Sequence, residues 1–179
     1  MGPFLTADEV AAASGGRVGV GDPRIPVLLE AATAAIRAIC GWHVAPVLTE
    51  TQVLDGTGGA LMYVHSGHIR SVTSLVVDGV QLVEGRDFGW SQLGMIELYG
   101  GRRFPRRFRS VSITLEHGHD QAPDLTGLVL QKVLAALASP MGATSEQAGQ
   151  MAVRWGRTGL SLDRDQLQML APYRLQAPA

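Results

Sequence analysis

The chain has 179 residues, 46% hydrophobic and 17% charged, with a formal net charge of −1. It is long and apolar enough to bury its own core, too apolar to stay disordered, and too close to neutral to draw nucleic acid or an anionic membrane by its overall field. No apolar run approaches the roughly 18 residues of a membrane-spanning helix, and a single cysteine, Cys40, excludes an internal disulfide framework and a cysteine-rich zinc site.

The opening residues carry Asp8 and Glu9 and no basic segment, so no secretory leader is expected and the cytosol is the expected place of assembly. Thr6 and Glu9 have the spacing of a capping box and predict a short helix over about 5–13, stopped by Ser14, Gly15 and Gly16. Asp22 as N-cap and Pro23 in the first turn open a second helix over about 23–40. Its apolar residues Ile25, Leu28, Leu29, Ala32, Ile36 and Ile39 recur every three or four positions, and Gly41 fits the residue just past its end.

From about 46 to 118 the period changes to short alternating runs separated by turn signals. Strands are predicted over 49–54, 61–64, 72–77 and 80–83, with Asp78-Gly79 as the strongest hairpin signal, and over 87–90 and 95–99 around a turn at Gly94. In 111–116, Val111, Ile113 and Leu115 alternate inward against Ser112, Thr114 and Glu116. Pro123 opens a third helix over about 123–139, with a stripe of Leu125, Leu128, Val129, Val133, Ala136 and Leu137 and with Lys132 at its edge. Residues 144–155 combine helix formers with the β-prone Val153-Arg154-Trp155 and fit either state. A last helix is predicted over about 162–171, capped by Ser161 or Asp163 and ended by Pro172. Clustered strands between helices predict an α+β fold: a helical bundle with an inserted small antiparallel β-rich block, sandwich or barrel, and an extended C-terminal tail, all in a single domain over 1–179.

Few motifs in the chain point to chemistry. The glycines at 55–59 lack the following Lys-Ser/Thr and the helix of a phosphate loop, so a turn is expected. No Gly-x-Ser-x-Gly elbow is present, and Cys40 late in an apolar helix reads as a buried, inert thiol. His65 and His68, and the run His117-Gly118-His119-Asp120, offer zinc-type ligands, but in no known metal spacing; turn and capping chemistry is the plainer expectation. Two features remain. Arg102, Arg103, Arg106, Arg107 and Arg109, interleaved with Phe104, Pro105 and Phe108, hold five of the chain's 14 arginines and suit a protein interface or a DNA-facing surface. The apolar, glycine-broken C-terminal quarter carries Trp155, Leu160, Leu162, Leu167, Met169, Leu170 and Tyr173.

The ordered motifs resemble those of the head-to-tail connector, or adaptor, proteins of long-tailed bacteriophages and gene-transfer agents. The resemblance runs from about Phe4 to Leu175. It is carried by Ile36-Arg37-Ala38-Ile39-Cys40-Gly41-Trp42-His43 followed by Val44-Ala45-Pro46, by Leu54-Asp55-Gly56, and by Ile69-Arg70-Ser71-Val72 leading to Val77-Asp78-Gly79. Asp87-Phe88-Gly89-Trp90, Thr114-Leu115-Glu116-His117-Gly118, Pro123 and the closing Leu170-Ala171-Pro172-Tyr173-Arg174 complete it. The resemblance implies a virion protein without catalytic residues, metal or cofactor. It implies a homo-oligomeric ring, a dodecamer in the usual case, beneath the portal protein, with DNA passing through. The C-terminal segment, here Trp155, Leu160, Leu162, Leu167, Leu170, Tyr173 and Arg174, would bind the portal, and the opposite face a head-closure or tail-completion protein. Three other readings stand beside it: a head-closure or tail-completion protein, a small metal-assisted hydrolase using His65, His68, His117, His119 and Asp120, and a DNA-binding module built on the arginine cluster.

Overall fold

The computed structural model describes residues 2–138, 145–148, 151–154 and 162–175. They form a mixed α+β fold with four α-helices, a four-stranded and a three-stranded antiparallel sheet, and a two-stranded antiparallel sheet. The chain divides into two compact units: one from the described residues of Met1–Ile39 and Ala122–Pro172, the other from those of Cys40–Gln121 and Tyr173–Ala179.

The first unit is mainly helical. Helix α1 (Ala7–Ala13) starts where the capping box puts it: Thr6 Oγ1 accepts from the Glu9 backbone N–H, and the Glu9 carboxylate accepts from the Thr6 N–H at 2.7 Å. Each bond satisfies a helix-end donor that would otherwise be orphaned. Helix α2 (Arg24–Cys40) opens on Asp22, whose Oδ1 accepts from the Arg24 N–H at 2.9 Å. It buries Ile25, Leu29, Ala32, Ile36 and Cys40, a spacing of three and four that keeps one face apolar. Helix α3 (Pro123–Ala138) packs against α1 and buries Leu125, Leu128, Val129, Val133 and Leu137. Lys132 lies within that buried stripe rather than at its edge.

Two C-terminal expectations change. Within the ambiguous stretch the described residues are strand: β8 (Ser145–Ala148) pairs antiparallel with β9 (Met151–Arg154). Helix α4 (Arg164–Met169) is capped by Asp163, whose side chain accepts from Gln166 N while Gln166 Oε1 accepts from Asp163 N. Pro172 does not end this helix; it lies inside a following 3₁₀ turn, Ala171–Tyr173. Early in a turn a missing N–H costs no hydrogen bond, so proline is accommodated there.

The second unit holds β1 (Leu48–Leu54), β2 (Leu61–Tyr63), β3 (Ile69–Val77), β4 (Val80–Leu82), β5 (Phe88–Ser91), β6 (Met95–Leu98) and β7 (Val111–His117). One sheet has the order β1-β7-β3-β4 and the other β2-β6-β5. Their inward side chains meet in one core that includes Leu54, Leu75, Ile113 and Leu115 from the first sheet and Met62, Phe88, Ile96 and Leu98 from the second. Strand β7 is central, and Val111, Ile113 and Leu115 point inward as the period of two predicts. The same period carries His117 inside, fully buried. Asp78 (φ 51) and Gly79 (φ 80) form the β3–β4 turn, with both residues in the left-handed region that a two-residue hairpin demands. Strand β3 begins at Ile69, earlier than its apolar run, and register shifts at Ile69/Ser71 and Val72/Ser74 break its alternation.

Candidate interaction surfaces

The arginine cluster lies on the connection between β6 and β7, and that connection is pinned. Phe104 is buried, and its N–H donates to Gly59 O at 2.8 Å. Gly56 N donates to Arg107 O at 2.9 Å, and a Cβ at Gly56 would fall 1.8 Å from Pro105 O, so only glycine fits there. The Ser110 hydroxyl donates back to Arg107 O at 2.8 Å. Arg109 takes a left-handed φ of 52, and its N–H donates to Asp55 Oδ1 at 2.7 Å. A non-glycine residue is rare in that region, and here a carboxylate acceptor holds it in place.

The five arginines separate into two groups. Arg102 reaches Asp87 Oδ1 at 3.1 Å, and Arg107 pairs with Asp78 of the hairpin turn. Asp87 also pairs with Arg86 at 2.8 Å and accepts from the Val83 N–H. The Arg86 hydrogen bonds, then the Val83 N–H and the charges of Arg102 and Arg86, hold its carboxyl at about 2. Arg103, Arg106 and Arg109 are exposed and have no carboxylate partner among the described residues. Beside them Phe108 is 83% exposed. A bulky apolar ring held in water among unpaired guanidinium groups, on a loop fixed at several points, is the composition of a contact surface. The anchors Asp55, Asp78 and Asp87 are far from the cluster in sequence and carry no linear signal beyond turn chemistry.

A second cluster gathers around Trp42, which follows α2. Four of the five histidines meet there. The His68 and His119 rings stack with centroids 4.4 Å apart and planes 15° apart, and His119 meets the Trp42 ring at 5.9 Å. His117 lies 6.1 Å from Trp42 and 6.0 Å from His43. The backbone is tied in as well: Gly118 N donates to His68 O at 2.9 Å, and His119 N to Val44 O at 2.7 Å. His117 Nε2 is 3.2 Å from Glu50 Oε1, but neither ring nitrogen makes a well-aligned hydrogen bond among the described residues. Burial lowers the His117 pKa against the opposing pull of Glu50. Burial and the neighbouring His68 lower that of His119, while Asp120 acts the other way.

This arrangement does not gather the expected metal ligands. Parallel stacked imidazoles aim their in-plane lone pairs side by side, not at one point. Asp120 is engaged by Arg70, His65 is exposed, and His117 faces Glu50. Among the described residues no three His, Cys, Asp or Glu side chains form a metal-holding group. His117-Gly118-His119-Asp120 bends the chain at Gly118 (φ 106), and its histidines also pack as rings against Trp42. Cys40 is buried, and burial pushes its thiol up to about 11, as an inert thiol requires.

Of the C-terminal candidates, Trp155 and Leu160 lie outside the described residues. Leu162 and Leu167 are half-buried, Leu170 is fully buried, and Arg174 is exposed. Tyr173 is half-buried, and its carbonyl accepts from Trp42 Nε1 at 2.6 Å. Leu175 N donates to Cys40 O at 2.9 Å, and the Leu175 side chain covers Gly41. Residues Tyr173–Leu175 therefore close over the segment that follows α2. The sequence pairs none of these groups, which are more than 130 positions apart.

No protein-family model matches the chain, and no curated protein matches it by sequence. Solved structures do. A chain in the neck of an empty gene-transfer-agent (GTA) particle, computed with C6 symmetry, superposes with a TM-score of 0.59 at 16% identity, covering 98% of this chain and 92% of that one. A chain in the neck of the native GTA particle, computed with C12 symmetry, gives 0.58 at 14% identity over 100% and 95%. A chain of the native GTA virion gives 0.61 at 16% over 98% and 92%. The mixed α+β fold described above is thus the fold of proteins found in the neck and virion of such particles. Among the described residues no helix is long and apolar enough to cross a membrane.

Proposed function

We propose that the chain is a structural, non-catalytic protein of the particle neck, a head-to-tail connector that forms a ring beneath the portal, joins capsid to tail and lets DNA pass. The observation that carries this reading is the fold likeness over 98–100% of the chain to chains of gene-transfer-agent necks and virions. The ordered motifs from Ile36 to Arg174 support it independently, as does the cyclic symmetry of the two neck structures. In this reading the protein forms a homo-oligomeric ring of twelve, assembled in the host cytoplasm and resident in the virion as one domain. That domain is a helical bundle, its β-block inserted between helices and its C-terminal segment extended.

Trp155, Leu160, Leu162, Leu167, Tyr173 and Arg174 contact the portal, the fully buried Leu170 anchoring their segment, and the opposite face receives a head-closure or tail-completion protein. The pinned Arg102–Arg109 connection presents Arg103, Arg106, Arg109 and Phe108 to a neighbouring protein or to the DNA. A near-neutral chain suits a conduit, because a densely basic lumen would hold DNA by counterion release.

The test mixes purified protein with assembled portal and images the mixture by electron microscopy. An added ring beneath the portal is expected. Absence of that ring contradicts the reading, and density one layer lower reassigns the chain to head closure.

A further inference from the structure

We propose that the stacked His68–His119 pair is an acid-sensitive latch that holds the C-terminal residues Tyr173–Leu175 on the second unit and releases them when both rings are protonated. The observation is the cluster itself. His119 lies between His68, stacked at 4.4 Å, and Tyr173, whose ring it meets edge-on at 5.7 Å and 88°. Trp42, packed against the same histidine, supplies the N–H that the Tyr173 carbonyl accepts. The ring that touches the C-terminal segment is thus one of two stacked imidazoles, the type of side chain whose charge change lies nearest neutral pH.

Two imidazolium rings stacked face to face repel at short range, whereas two neutral rings stack favourably. The other charged groups around the pair do not cancel this. Asp120 acts on His119, but its side chain is 76% exposed and it is already engaged by Arg70. Glu50 faces His117 and not the stacked pair. Arg174 is next to Tyr173, and its charge reaches the Cys40 thiol, so the segment itself carries a further positive charge. Val44, a β-branched residue at a φ of 66, is held by the His119 N–H donated to its carbonyl, so strain is stored beside the latch. Burial already disfavours the charged form of His119. The neutral, closed latch is therefore stable above the ordinary histidine value and loosens as pH falls below it. This inference does not need the ring reading. If that reading holds, the latch controls when part of the portal-contacting segment is free.

Amide hydrogen exchange on the full-length protein tests it, with each rate divided by the intrinsic rate at that pH. Between about pH 7.5 and about pH 5.5 the protection of the Leu175 N–H, the donor to Cys40 O, should fall at least about tenfold. That of the Ile113 and Leu115 amides in β7 should hold. His119→Phe keeps an aromatic ring without titration and should abolish the fall; His68→Phe should do the same, and His65→Phe, at an exposed position, should not. Protection of Leu175 that is constant with pH overturns the proposal. So does a fall that persists in whichever of the two latch variants folds, or one that β7 shares, because the whole unit would then be responding.

Discussion

Arg109→Gly separates what the arginine-bearing connection costs from what it does. Arg109 has a φ of 52, and its side chain is exposed, with no carboxylate partner among the described residues. The left-handed conformation costs a non-glycine residue about 1–2 kcal/mol, while glycine forfeits roughly 0.5–1 kcal/mol in unfolded-chain entropy. The backbone N–H that donates to Asp55 Oδ1 is present in both. The net expectation is a gain of about 0.5–1 kcal/mol, which in a chain of this length raises the Tm by about 1–4 °C. Arg109→Ala keeps the Cβ and therefore the strain, so its Tm should stay within about 1 °C of the parent. Thermal unfolding followed by circular dichroism reads both. Both variants should weaken assembly on portal particles, because both remove the guanidinium. A glycine variant less stable than the parent, or glycine and alanine variants that melt together, refutes the strain argument. Full assembly by both refutes a contact role for Arg109.

Three further outcomes are expected. Ile113→Ala empties a fully buried position at the centre of the larger sheet and should cost about 2–5 kcal/mol in urea unfolding; a loss under about 1 kcal/mol would contradict the shared core. Asp55→Ala removes the carboxylate that holds Arg109 N–H and should cost about 1–2 kcal/mol, with hydrogen exchange at Arg109 accelerated while β7 stays protected. Asp87 has its carboxyl held at about 2, chiefly by Arg86, so its stabilisation is present above the ordinary carboxylate value and is lost as pH falls through that value to about 2. Asp87→Asn should therefore flatten the acid limb of the Tm–pH curve, and an unchanged limb would assign acid sensitivity to other groups.

Local chemistry was readable from the chain and long-range pairing was not. Thr6 with Glu9, Asp22 before α2, and Asp78-Gly79 act over two to four residues, and each is satisfied by its own neighbours in the structure. The alternation of Val111, Ile113 and Leu115 was equally legible, because a strand's period survives wherever its register is regular. It failed in β3, where two register shifts interrupt the period. Residues 144–155 fitted either state because strand formation there depends on pairing between β8 and β9, which propensity does not encode. The arginine cluster was visible as composition. Its division into Arg102 and Arg107, tied to Asp87 and Asp78, and three unpaired arginines was not, since those carboxylates lie 15 and 29 positions away. The histidines suggested metal by residue type, yet folding aligns two of them face to face, a geometry that spacing does not specify.

The most direct test of a neck role is a reconstruction of intact particles that carry this chain, at a resolution that identifies side chains. The account predicts a closed ring of copies between head and tail, with Arg103, Arg106, Arg109 and Phe108 at a protein or DNA contact and Tyr173 and Arg174 directed to the portal. Particles that assemble fully without the chain, or that hold it anywhere other than the neck, would contradict it.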